Sequence, residues 1–310
     1  MSSENLALDI AGLSYSYKSN WLGRSQPALK AFSLQVHTNE IFGFLGHNGA
    51  GKTTTIKCIL NLIKPGQGSV KIFGRESWRA ESRALVGYLP EQPYFYDHLS
   101  VEELLQFYAA LAGVPRDGRG MRVREALARV GMSERTKVRL GTLSKGLIQR
   151  VALAQAIVGQ PKLLILDEPF SGLDPVGRKQ FRDLIEELRN SGVTVFMSSH
   201  VLSDVEYLCD RVSIMVKGEL RGVYEVKDLA KVSNDECELV LEYSAALDNL
   251  LRPLAGKYVK HGATVSIVFA NRDVAEAELK LLINAGARVV SFGSMNNALE
   301  NLFMRVLQEG

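Results

Sequence analysis

Gly46-His47-Asn48-Gly49-Ala50-Gly51-Lys52-Thr53 decides the reading of this chain, and it follows the apolar run Ile41-Phe42-Gly43-Phe44-Leu45. The spacing is G-x-x-x-x-G-K-S/T, a strand emptying into a glycine-rich loop that cradles nucleotide phosphates. Its glycines let successive backbone N–H groups turn inward. The helix expected from Thr54-Thr55-Ile56-Lys57-Cys58-Ile59-Leu60 adds the positive end of its dipole. In that geometry Lys52 reaches the β- and γ-phosphates and the Thr53 hydroxyl serves as a Mg²⁺ ligand. A glycine-rich turn that merely joins strand to helix is disfavoured by the buried strand before it and the helix start after it. The loop implies binding of ATP or GTP.

Outward from this loop, the sequence alternates strands and helices. The loop's helix ends at Lys64-Pro65-Gly66, a sharp terminator. Val70–Gly74 and Leu85–Leu89 read as strands, and from about Ser100 to Gly159 the spacing turns helical. Ser100-Val101-Glu102-Glu103 has the form of a capping box, and apolar residues recur at helical intervals over Met121–Val130 and Leu147–Val158. Two buried-strand runs follow, Leu163–Leu166 and Val193–Met197, with an amphipathic helix over Arg178–Asn190 between them. This βαβ pattern implies a parallel sheet. A hairpin turn at Lys217-Gly218-Glu219 closes the unit, and the texture changes after about Asn234. Strands over Cys237–Tyr243, Thr264–Phe269 and Ala287–Ser291 with helices over Ala275–Ala285 and Ala298–Gln308 suggest a small separate α/β domain.

Three further signals carry chemistry. Leu163-Leu164-Ile165-Leu166-Asp167-Glu168 is an apolar strand ending in two acids, about 115 residues after Lys52. Asp167 is placed to hold Mg²⁺, and Glu168 to take a proton from the attacking water. Leu143-Ser144-Lys145-Gly146 opens a helix, so a hydroxyl and free N–H groups face outward as an anion-binding surface. A cap serine with Val151, Leu153 and Ala154 in the core is the blander reading, and the two are compatible. His200 ends the strand beside the one that delivers Asp167, and points at the crevice where such sheets bind ligands.

Bulk composition narrows the class. With 310 residues, 46% hydrophobic and 23% charged, the chain is long enough for one large domain and a small one, or for two medium ones. A net charge of +3 is too small to argue for nucleic acid as a partner. No apolar run approaches the roughly 18–20 residues that span a bilayer, and Met1-Ser2-Ser3-Glu4-Asn5 lacks the features of a secretory signal. Cys58, Cys209 and Cys237 lie far apart without metal-ligand spacing, which fits a reducing cytosol.

The order of phosphate loop, Leu-Ser-x-Gly signature, Asp-Glu strand end, Ser171-Gly172-Leu173-Asp174 loop and His200 resembles an ABC transporter ATP-binding subunit, over residues 5 to about 225. The resemblance implies an α/β P-loop NTPase with a parallel-sheet core, an antiparallel β subdomain and a helical subdomain over about 93–160. Residues 226–234 are then a linker, and 235–310 the small C-terminal α/β domain. It implies nucleotide contacts from Gly46, His47, Asn48, Gly49, Ala50, Gly51, Lys52, Thr53 and Thr54, with Mg²⁺ on Thr53 and Asp167. Glu168 and His200 are the implied catalytic pair, and Asp174 the residue of the loop between subunits. Tyr17 would stack on the adenine, with Tyr15 as the alternative, since a ring reads a base face without hydrogen bonds.

Two departures from the family pattern stand out. Lys145 and Leu147 replace a glycine and a glutamine of the signature, and Leu147 cannot hydrogen-bond a ribose. In Gly87-Tyr88-Leu89-Pro90-Glu91-Gln92, Glu91 holds the usual glutamine position with Gln92 beside it, and sequence leaves the choice open. Both variations resemble the subgroup with a Ser-Lys-Gly signature, many members of which serve separate export permeases and carry an extra C-terminal α/β domain. The resemblance then implies a head-to-tail homodimer around two ATP, with Ser144, Lys145 and Gly146 acting in trans, peripheral on the cytoplasmic face of the membrane through its permease. Tyr94-Phe95-Tyr96 either grips that permease or fills a subdomain core. A soluble ABC ATPase acting in assembly or regulation is the alternative. A DNA-repair or chromosome machine would need a long coiled-coil insertion, a translation factor two phosphate loops, and a GTP switch an Asn-Lys-x-Asp motif, and the chain has none of these.

Overall fold

Two kinds of strand recur in this chain, half-buried ones with alternating burial and short ones buried on both faces, and they sort into separate sheets. The computed structural model describes residues 5–18, 25–232, 237–244, 258–269, 271–294 and 298–308. It divides into two units, Met1–Glu225 and Val226–Glu309.

The first unit runs β1 (Leu6–Lys18), β2 (Ser25–His37), β3 (Ile41–Leu45), α1 (Lys52–Ile59), β4 (Gln67–Ile72), β5 (Arg75–Glu76), α2 (Ala80–Arg83) and β6 (Val86–Leu89). It continues through α3 (Val101–Leu111), α4 (Arg116–Arg129), α5 (Lys145–Ile157), β7 (Leu163–Asp167), α6 (Pro175–Asn190), β8 (Thr194–Ser199), α7 (Leu202–Leu208), β9 (Arg211–Val216) and β10 (Glu219–Glu225). The alternating strands form an antiparallel sheet, β2-β1-β4-β5; part of the Ser19–Pro27 excursion between β1 and β2 lies outside the described residues. The second sheet, β10-β9-β3-β8-β7-β6, is parallel except for its β9–β10 hairpin. Every residue of β3, β7 and β8 is buried, as expected of parallel strands covered on both faces. Phe42 and Phe196 stack in its core at 5.9 Å, within an apolar cluster that takes in Leu8, Ile10, Ile56 and Ile59.

In the helical segment the Ser100–Glu103 capping box forms and opens α3. α4 begins at Arg116, five residues before the apolar pattern does, because Gly118 and Gly120 weaken the helical signal in its first turns.

The second unit contains α8 (Val226–Val232), β11 (Cys237–Glu242), β12 (Tyr258–His261), β13 (Thr264–Phe269), α9 (Arg272–Asn284), β14 (Val289–Ser294) and α10 (Ala298–Gln308). Its antiparallel sheet, β12-β13-β11-β14, buries Leu239, Leu241, Val265 and Ile267 against Ala275 and Leu282 of α9. The first seven residues of the linker expected over 226–234 form α8. Val226 and Leu229 are half-buried one turn apart and Asp228 sits in the first turn, so this stretch is helical and packs with α10. Residues 233–236, where the expected domain boundary falls, lie outside the described residues.

Candidate active site

β3, β7 and β8 end side by side, with Leu45 opposite Ser199 and Asp167 opposite Ser198, so the loops leaving them open into one crevice. α1 starts within the glycine-rich loop. Gly51, its N-cap, has φ +113°, and a Cβ there would lie 2.9 Å from Leu29 Cδ2 and 3.0 Å from the Ala28 carbonyl. Only glycine fits. No acidic residue occupies the first turn of α1, which leaves the positive end of its dipole for an anion. Lys52, buried, donates to the Gly46 carbonyl at 2.6 Å, and its Nζ lies 3.1 Å from Glu168 Oε1. That contact is ionic, since among the described residues Oε1 has hydrogen-bond geometry to no partner.

The acids and the histidine are held together by β8. Ser198 donates to Asp167 Oδ1 at 2.6 Å and its oxygen accepts from the Glu168 N–H at 3.0 Å. Glu168 sits at φ +48°, a left-handed conformation uncommon outside glycine and concentrated at functional sites. Its Oε2 accepts from the His200 backbone N–H at 3.3 Å and lies 2.8 Å from His200 Nδ1. A carboxylate acceptor requires the proton on that nitrogen. Burial pushes the Asp167 carboxyl above its ordinary value, while the Ser198 and Thr53 hydroxyls pull it down.

A cleft of about 640 Å³ gathers most of the expected residues: Tyr17, His47, Asn48, Gly49, Gly51, Lys52, Thr53, Thr54, Glu91, Glu168 and His200 line it. Gly46 contributes its carbonyl to Lys52, and Ala50 is buried beneath the loop. Of the two aromatic candidates, Tyr17 faces the cleft and exchanges a hydrogen bond with Thr54 Oγ1 at 3.2 Å. Tyr15 packs on the core and meets Tyr17 edge-on at 4.9 Å. Glu91 lines the cleft whereas Gln92 does not. Tyr94 and Tyr96 are 88% and 65% exposed, so they fill no core.

Ser144, Lys145 and Gly146 stand apart from the cleft. Ser144 caps α5, its Oγ accepting from the Leu147 N–H at 3.5 Å, and both Ser144 and Lys145 are exposed. The Lys145 side chain lies across Gly172, at φ +71°, where any Cβ would strike it. Asp174 caps α6, accepting from the Gly177 N–H at 2.7 Å.

Sequence reasoning missed Ser198 and Gln149. Gln149, buried, donates through Nε2 to the Pro169 carbonyl at 3.0 Å and so ties α5 to the loop after Glu168. A polar residue among the buried positions of α5 was the available signal; for Ser198 it was a hydroxyl at the end of an otherwise apolar strand.

The family model for ABC transporters matches residues 29–171. An ABC transporter ATP-binding protein of Synechocystis is 36% identical over 294 residues, covering 93% of this chain and 81% of that protein. The bacitracin transport ATP-binding protein BcrA of Bacillus licheniformis is 34% identical over 291 residues, covering 92% and 94%. Among solved structures, cbiO1 from Clostridium perfringens, part of the ABC transporter complex cbiONQ, aligns with a TM-score of 0.65 at 28% identity, covering 74% of this chain and 92% of that one.

Proposed function

We propose, from the premise that this chain belongs to the ABC transporter family as one of its ATP-binding subunits, that two copies close head-to-tail around two ATP molecules and drive a separate permease in the direction of export. The chain binds ATP and is an ATPase. The observation that carries the dimer is the place of the signature. Ser144 opens an exposed helix start outside the cleft that the phosphate loop forms in the same chain, so it serves the ATP of a second copy.

Within each site, the N–H groups of Gly49 to Thr54 and the Lys52 ammonium hold the phosphates, and Tyr17 carries the base. Protein donors for a metal are one hydroxyl, Thr53, and one carboxylate, Asp167. Mg²⁺ takes such a share from protein when phosphate oxygens supply the rest, and among the described residues no group of three or more His, Cys, Asp and Glu offers a cage of its own. When bound there, Mg²⁺ neutralises charge on the phosphates. Glu168 takes the proton of the attacking water, and His200 orients it through Oε2. Glu91 faces the same cleft.

The permease partner is supported by two observations. No helix of the described residues is long and apolar enough to cross a membrane, and Tyr94 and Tyr96 present an exposed aromatic surface. BcrA is named for bacitracin transport and cbiO1 is part of a transporter complex. The chain then works on the cytoplasmic face of the membrane, docked on its permease, with residues 5–225 as the ATP-binding domain and 235–310 as an accessory domain.

The test is complementation between two inactive variants. Lys52→Ala lacks the phosphate contact and Ser144→Arg blocks the signature, so a mixed dimer rebuilds one intact site and recovers ATPase activity. ATP-induced dimerisation of Glu168→Gln is measured alongside by sedimentation. A Glu168→Gln chain that stays monomeric at saturating ATP with its permease present refutes the shared site.

A further inference from the structure

α6 and the segment around α7 are tied at two heights, and the two ties differ in kind. Far from the site, Arg189 Nη2 donates to Asp210 Oδ1 at 2.8 Å, and Asp210 Oδ2 accepts from the Ile41 N–H at 2.9 Å. That end is a directed hydrogen-bonded pair anchored on β3. Near the site, the carboxylate of Asp204 is 1% exposed and faces Arg178 Nη1 at 3.5 Å and Arg182 Nη1 at 3.9 Å. Among the described residues neither of its oxygens finds a hydrogen-bond partner, and neither does the buried Nε of Arg182. The Arg182 guanidinium lies over the Tyr207 ring at 4.5 Å, adding a second contact between α6 and α7 that has no fixed angle.

A buried ion pair without hydrogen bonds gives little stability that an apolar pair would not. It does give attraction that falls slowly with distance and tolerates sliding, whereas a hydrogen bond breaks on small misalignment. One end of this tie sits on the helix that Asp174 caps, the other four residues after His200. We propose that Asp204 is a positioning residue for ATP hydrolysis, holding α7 to α6 through a charge contact so that the place of the Asp174 loop sets the contact of His200 with Glu168. The proposal rests on the reading of Glu168 and His200 given above.

The test is a double-mutant cycle with the full-length protein and its permease, using Asp204→Asn, His200→Ala and the pair together. Asp204→Asn should lower kcat about tenfold and leave the KM for ATP within about twofold, the split expected of a group acting in the reaction step. Its melting temperature should fall, because removing one partner of a buried ion pair leaves the Arg178 and Arg182 charges without their counter-ion, so kcat and KM are read well below that melting temperature. In the His200→Ala background it should cost nothing further, as required of a residue that acts through His200. Arg178→Gln, partly exposed, should show the same pattern more weakly and serves if Asp204→Asn does not fold. A wild-type kcat in Asp204→Asn beside a slowed His200→Ala overturns this proposal alone, as do losses that multiply in the pair. A wild-type rate in His200→Ala overturns the reading of the site itself, and Asp204 with it.

Discussion

Ser198 offers the sharpest test of how the site is held. Its oxygen donates to Asp167 and accepts from the Glu168 N–H, and the residue is fully buried. Ser198→Ala removes a hydrogen bond to a charged group, about 1.5–3 kcal/mol, and leaves a buried N–H unpaired, about 1–3 kcal/mol. Asp167 can offset part of this by taking up a proton, which its burial already favours. We expect about 2–4 kcal/mol lost from the first unit. Urea unfolding followed by tryptophan fluorescence reads this unit alone, because Trp21 and Trp78 both precede residue 226. With an m-value of about 2–3 kcal/mol/M the midpoint should fall by about 0.7–2 M. Hydrolysis should also slow, since the Glu168 amide is no longer fixed in its left-handed conformation. A variant with the wild-type midpoint and wild-type kcat would falsify the bridging role.

Four other outcomes follow from the same geometry. Glu168→Gln should bind ATP yet lose roughly 10²–10⁴ of the hydrolysis rate, and Lys52→Ala should weaken binding in a filter or calorimetric assay; equal hydrolysis by Glu168→Gln and wild type would remove the base. The Ser100 N–H and hydroxyl both donate to Glu103 and hold its carboxyl below the ordinary range. Glu103 therefore stabilises the fold fully above the unfolded value of about 4.3, and the contribution is lost as pH falls through the lower folded value; Glu103→Gln should converge with wild type in acid unfolding but not at neutral pH. Burial pushes the Cys58 thiol up to about 11 and raises Cys209, and Cys237 is also buried; alkylation at pH 8, followed by mass spectrometry, should label the three only after denaturation. A chain ending at Glu225 should bind ATP with unchanged Kd, as among the described residues none that lines the cleft lies beyond Lys217.

The legible parts of the site were those written locally. The glycine-rich loop, the paired acids after an apolar strand and the cap serine each declare themselves within eight residues, because each uses one turn or one strand end. What sequence hid depends on register. Ser198 matters only because β7 and β8 pair Asp167 with it, and Asp204 only because α6 and α7 meet. Tyr15 and Tyr17 share a strand parity, so alternation could not separate them; the irregular pairing of β1 with β2 around Tyr15 and Ser16 does. In the second unit, β12 is four residues long, too short to show a period. α7, with seven residues, was hidden for the same reason of length.

The order of strands in the parallel sheet also sets a timetable for synthesis. β3 lies between β8 and β9, so Ile41 finds Val195 and Phe42 finds Arg211 only after roughly 150 further residues have been made. At about 5–20 residues per second that interval lasts roughly 8–30 s. Throughout it an all-apolar strand and the loop it feeds are on the ribosome without their neighbours, and the chain has no finished nucleotide cleft. Until β8 and β9 have been made, the burial open to β3 comes from the antiparallel strands β1, β2 and β4, whose Leu8, Ile10, Leu34 and Val70 share an apolar cluster with Phe42 and Phe44. Variants that slow elongation between β3 and β8 should lower soluble yield without altering any contact of the finished protein.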